Sequence, residues 1–107
     1  MSKARVTLSV SAVGDLEDIL RWYRQEQVPD TGRRLVEETL QRIEALSDNP
    51  GIGRVVPEFG QKHLRELIHA PFRVVYRKES KTARVVRVWR SERLLILAQT
   101  AEELDPA

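Results

Sequence analysis

The 107-residue sequence contains no cysteine, so neither a disulfide framework nor thiolate chemistry is available to it. No apolar run approaches the 18 residues that mark a membrane helix, and nothing near the start reads as a signal peptide. No glycine precedes a Lys-Ser or Lys-Thr pair, so no P-loop is expected. Internal repeats and low-complexity segments are missing too. Histidine is scarce: His63 and His69 are the only two. Six residues apart on one predicted strand, they would stand roughly 20 Å from each other. That is too far to share a metal ion or an acid–base step, and no third ligand cluster is evident. No metal and no other cofactor is expected. With 32% charged residues, the chain reads as one soluble cytoplasmic domain over 1–107 with a modest core.

What charge there is lies unevenly. The net value is only +2, yet residues 54–93 carry 11 Lys/Arg against 4 Asp/Glu. The first 53 residues carry 7 against 9, and the last 14 none against 3. The basic stretch therefore favours an acidic partner, either a nucleic acid or an acidic protein segment. The other reading is that these arginines pair with carboxylates or protect strand edges.

That basic stretch is also the β-rich part. Residues 63–90 read as three antiparallel strands, His63–His69, Phe72–Glu79 and Thr82–Arg90, with Ala70-Pro71 and a polar turn between them. Arg65, Arg73, Arg77, Arg84, Arg87 and Arg90 punctuate the strands. Alternation places Phe72, Val74 and Tyr76 on one face, Arg73, Val75 and Arg77 on the other. In the last strand, Arg84, Val86, Val88 and Arg90 oppose Ala83, Val85, Arg87 and Trp89. One face is expected under helices, and the second mixed, basic and partly apolar.

Before the sheet, Arg5–Val10 alternates as a short strand. Ser11 is the expected cap of a helix from Ala12 to about Val28, with Val13, Leu16, Ile19, Leu20 and Tyr23 in one stripe. Asp15, Glu17 and Asp18 fall near its N-terminus, where the helix dipole favours them. Val28-Pro29 breaks it. Asp30 is the expected cap of a second helix from about Thr31 to Ser47, stopped by Asp48-Asn49-Pro50-Gly51. Residues 51–61 read as a crossover loop. The run Leu94–Ala98 and the acidic end after it fit a short helix or an edge strand equally. The order is β-α-α-β-β-β: an α+β fold in which an N-terminal strand and an αα-hairpin pack on a small antiparallel sheet.

The segments Leu46-Ser47-Asp48-Asn49-Pro50, Arg65-Glu66-Leu67, Phe72–Arg77 and Val85–Arg90 resemble the RelE/ParE superfamily of toxins from bacterial type II toxin–antitoxin systems. The resemblance spans about residues 5–93. RelE-like and YoeB-like members are ribosome-dependent mRNA endonucleases. ParE-like members bind and poison DNA gyrase, which blocks replication and growth; such systems stabilise plasmids. Both kinds are neutralised by an antitoxin.

The nuclease branch would need Arg73, Arg65 and Glu58 as its catalytic residues, with Glu58 as a general base. Arg73 matches that branch's arginine. However, its lysines would fall near Leu64 and Glu66, and its C-terminal tyrosine near Leu97. A terminal His-Tyr pair is absent, since the last histidine is His69 and the last tyrosine Tyr76. The departures favour the ParE-like branch, which implies a non-enzymatic gyrase poison bound by a ParD-like antitoxin in a hetero-oligomer. The resemblance places target contacts at Trp89, Arg90 and Arg93. Arg87 and Arg73 are also expected among the target contacts. Antitoxin contacts are expected at Arg65, Arg77, Trp22 and Tyr23, with core packing the alternative for Trp22, Tyr23 and Trp89. For Arg73 and Arg65 the alternative is a structural ion pair with Glu66 or a helix acid. Direct nucleic-acid binding is not expected as the main role.

Overall fold

The computed structural model describes residues 3–90. Arg93 and the 94–107 tail lie outside the described residues. Strand β1 (Arg5–Leu8) leads into helices α1 (Val10–Gln25) and α2 (Pro29–Glu44), and a 3₁₀ turn follows at Ala45–Ser47. Strands β2 (Arg54–Val55), β3 (Leu64–His69), β4 (Phe72–Lys78) and β5 (Thr82–Arg90) complete one five-stranded sheet, ordered β1-β5-β4-β3-β2. The fold is α+β, with the N-terminal strand and the helical hairpin as expected.

Several boundaries differ from the sequence reading. β1 stops at Leu8 because its parallel pairing with β5 ends at Leu8 opposite Val85. The sheet is thus mixed rather than wholly antiparallel. Ser9, not Ser11, caps α1: its Oγ accepts the Ala12 N–H at 3.0 Å and donates to the Val86 carbonyl at 2.9 Å. With α1 starting at Val10, no acid lies in its first turn. α2 begins on Pro29 with no side-chain cap, the fixed φ of proline serving the first helical position in place of Asp30. The 51–61 segment is more than a crossover, since Arg54 and Val55 pair with Glu66 and Arg65 of β3. The Ala70–Pro71 peptide is cis.

The helices cover one sheet face. Leu16, Ile19 and Tyr23 of α1 and Val36 and Ile43 of α2 bury themselves against Leu67, Phe72, Val74, Tyr76, Ala83, Val85 and Val88. Gly32 lets the two helices approach: a Cβ there would lie 2.6 Å from the Tyr23 Cβ. Gly53 does the same at the sheet edge, where a Cβ would meet the Glu66 carbonyl and the Tyr76 hydroxyl at 2.6 Å. That closeness lets the Gly53 N–H donate to the Tyr76 hydroxyl (2.9 Å), which in turn donates to the Pro50 carbonyl (2.7 Å). Burial pushes the Tyr76 phenol above its ordinary range.

β5 departs from simple alternation. Tyr76 lies opposite Val85 but Val75 lies opposite Arg87, so Val86 is an extra residue, a bulge. The bulge reverses facing beyond it. Val88 therefore joins Ala83 and Val85 under the helices, while Val86 and Trp89 turn outward. The outer face is not left bare. The segment after β2 folds over it, and Val56, Leu64 and Val75 form a second small core with Phe59, Val86 and Trp89.

Candidate functional site

Two clusters gather the residues that the sequence singled out. The first lies on the outer face. Arg73 is 1% exposed and Glu66 2%. The Arg73 guanidinium donates both terminal nitrogens to Glu58, at 2.8 Å each, and its Nε to Glu66. Arg54 pairs with the other oxygen of Glu66. Four charges thus close on themselves at the centre of the sheet. Burial is the largest influence on Arg73 and draws its pKa down, but the Glu58 hydrogen bonds and the two carboxylate charges outweigh it and hold the group above its ordinary value. The hydrogen bonds from Arg73 hold Glu58 below the ordinary carboxylate range, against a smaller opposing effect of burial.

The arrangement has chemical consequences. A carboxylate of lowered pKa, with both oxygens held by one guanidinium, is a weak proton acceptor. Glu58 is accordingly an ion-pair partner, neither a solvated loop residue nor a carboxylate free to work. Arg73 is inside the fold and takes the salt-bridge alternative, to Glu66 and Glu58. Arg65 is not part of this cluster. It shares a face with Leu67, toward the helices, and donates to the Lys62 and Gly53 carbonyls at 2.8 and 3.0 Å. The trio of Arg73, Arg65 and Glu58 is thus split across the sheet. His69 packs against α2, with Nε2 3.4 Å from a Glu38 oxygen, and His63 lies outside the strand.

The second cluster is a groove of about 340 Å³ between α1 and the free half of β5. β1 covers β5 only over Thr82–Val85. Beyond that point α1 takes the place of a neighbouring strand. Asp15 acts as a substitute ladder partner: its Oδ2 accepts the Val88 N–H at 2.9 Å, and its two oxygens accept Arg87 Nε and Nη2 at 2.8 and 3.0 Å. Arg87 lies over the Trp89 ring, 4.7 Å from its centroid. On the other wall Arg90 lies 4.3 Å over the Trp22 ring and donates to the Tyr23 hydroxyl at 3.3 Å. Trp22 meets Tyr23 edge to face at 4.8 Å. Trp22 remains 42% exposed while Tyr23 is buried.

The groove brings together Trp22, Tyr23, Arg87, Trp89 and Arg90, five residues drawn from two separate expected surfaces. The reading that divided them between target and antitoxin contacts did not foresee one shared site. It also missed Asp15, which organises the groove. A signal was present: Asp15 falls within the buried stripe of Ala12, Leu16 and Ile19, where a carboxylate needs a partner. Arg77 lies elsewhere, on the outer face opposite Arg84. No metal-binding group of three or more His, Cys, Asp or Glu occurs among the described residues. No helix among them is long and apolar enough to cross a membrane.

Comparison with known proteins bears on the family and the fold. A family model described as the ParE toxin of the type II toxin–antitoxin system parDE matches residues 6–95. No curated protein matches significantly. Among solved structures, a chain of the chromosomal ParDE toxin–antitoxin system from P. aeruginosa superposes with a TM-score of 0.70 at 20% identity, over 82% of this chain and 96% of that one. A chain of the toxin–antitoxin complex RelBE2 from Mycobacterium tuberculosis superposes at 0.63 and 17% identity, over 84% and 93%. At these identities the structural likeness speaks for the fold.

Proposed function

The chain belongs to the ParE toxin family of type II toxin–antitoxin systems, and on that premise we propose that it acts by binding rather than by catalysis. Its target is DNA gyrase, which it traps on cleaved DNA, and a ParD-like antitoxin neutralises it. The choice of gyrase rests on the family. The observation that supports a binding mechanism is the groove, where Arg90 stacks on Trp22 and Arg87 on Trp89. Arginine and tryptophan dominate the energetics of protein interfaces, and stacked guanidinium groups arrive there with part of their freedom already lost. The closed Arg73–Glu58–Glu66 cluster also favours binding over RNA cleavage. Target and antitoxin contacts share this groove, so an antitoxin segment lying in it excludes the target directly.

The test uses purified chain freed of antitoxin. It is added to gyrase, supercoiled plasmid and ATP, and in parallel to a translating extract. Gyrase-dependent linear plasmid with intact mRNA is the expected result. Trp89→Ala or Arg90→Gln should lower the potency by about thirtyfold, the scale of a single hot spot of about 2 kcal/mol. Cut mRNA with untouched plasmid would replace this reading with the RelE-like one.

A further inference from the structure

The outer face has a second arginine group that the groove does not use. Arg77 of β4 and Arg84 of β5 are direct cross-strand partners, and Arg84 in turn lies beside Thr7 of β1. Arg5 shares the face of Thr7 two residues along the strand, so three adjacent strands each contribute one guanidinium at the same end of the face. Arg5 and Arg84 are exposed and Arg77 is half-buried. Among the described residues none of the three has a carboxylate within ion-pair distance. The β4–β5 turn adds Glu79 and Lys81, which cancel.

Such a pair is unfavourable for folding by itself. Like charges directly opposite on neighbouring strands repel. Edge protection does not explain them, because β4 is the central strand and β5 is flanked on both sides here. An anion would reverse the sign of the interaction. With strands about 4.8 Å apart, the three guanidinium groups spread over about 10 Å. That matches about three phosphates of one DNA strand, at about 3.4 Å of axis per charge. The described residues place no exposed aromatic ring at this end, so it lacks the stacking platform that reads single-stranded RNA.

We propose that Arg5, Arg77 and Arg84 form a contact site for the phosphate backbone of duplex DNA, separate from the α1–β5 groove. The contact is independent of sequence and holds whether or not gyrase is the target. It would let the chain grip the DNA segment beside whatever protein fills the groove.

The experiment measures binding of the whole chain to a short labelled random-sequence duplex by fluorescence anisotropy, without gyrase, across about 50–200 mM salt. The wild type should bind at low salt, with log K falling linearly against log salt. The triple variant Arg5→Gln/Arg77→Gln/Arg84→Gln should reduce that slope by about 2.7, at about 0.9 per lost phosphate contact. Its melting temperature should not fall, since repulsion is relieved. Arg33→Gln/Arg34→Gln, on the exposed face of α2, should leave the slope unchanged. An unchanged slope in a folded triple variant overturns the proposal. So does a wild type that ignores duplex at low salt, or one that prefers single-stranded RNA or polyglutamate to the duplex.

Discussion

The two ends of the outer sheet face treat arginine in opposite ways. At one end Arg73 is 1% exposed and locked between Glu58 and Glu66. At the other, Arg77, only four residues along the same strand, faces Arg84, and among the described residues neither has a carboxylate within ion-pair distance. The sequence gives both arginines similar surroundings, alternating with valine and tyrosine. What separates them is the segment after β2, which brings the Glu58 carboxylate onto Arg73. A buried charge has to be paired, whereas a charge left open at a surface can wait for a partner. The first end is therefore read as scaffold and the second as contact surface.

Substitutions can break this contrast. Arg73→Ala leaves the Glu66 carboxylate, whose side chain is fully buried, with Arg54 alone. A loss of about 3–5 kcal/mol is expected in urea unfolding, the usual cost of removing one partner from a buried pair. Glu58→Gln keeps part of the hydrogen bonding but removes a charge opposite Arg73. A loss of about 1–3 kcal/mol is expected by the same measurement.

Acid titration gives a third test. Glu58 has its folded-state pKa lowered below 4.5, mainly by the Arg73 hydrogen bonds. The ionised group therefore contributes its full stability above pH 4.5, and that contribution is lost as pH falls below this value through the folded pKa. Melting temperature followed downward from neutral pH should show this loss in the wild type and less of it in Glu58→Gln. A variant that tracks the wild type would mean that the pair adds nothing. At the other end, Arg77→Gln should raise stability by a few tenths of a kcal/mol, because a cross-strand repulsion disappears. If Arg77→Gln costs as much as Arg73→Ala, the two ends do not differ in kind.

The legibility of the site followed the same division. Trp89 and Arg90 are legible as contacts only through the family resemblance, while Arg87 on the sheet and Trp22 and Tyr23 on the first helix stand out by residue type. Their convergence was not visible. It depends on α1 lying along β5 past the end of β1, and on the Val86 bulge, which a rule of strict alternation excludes. A helix starting at Ala12 puts Asp15 near the positive end of the helix dipole, whereas the start at Val10 carries it past the first turn. Ser9 sets the true start, and its cap is coupled to pairing with β5 that no local pattern contains.

By itself, the sequence determined the elements: two amphipathic helices with 3.6-residue stripes, and strands rich in β-branched residues separated by turn signals. Those are local consequences of side-chain spacing and backbone preference. The order of strands, the parallel pairing of β1, the pairing of Arg73 with Glu58 fifteen residues away and the assembly of the groove were decided only by tertiary structure. Each joins residues distant along the chain. Their free energies come from burial and from charges neutralised across space, which spacing along the chain does not record.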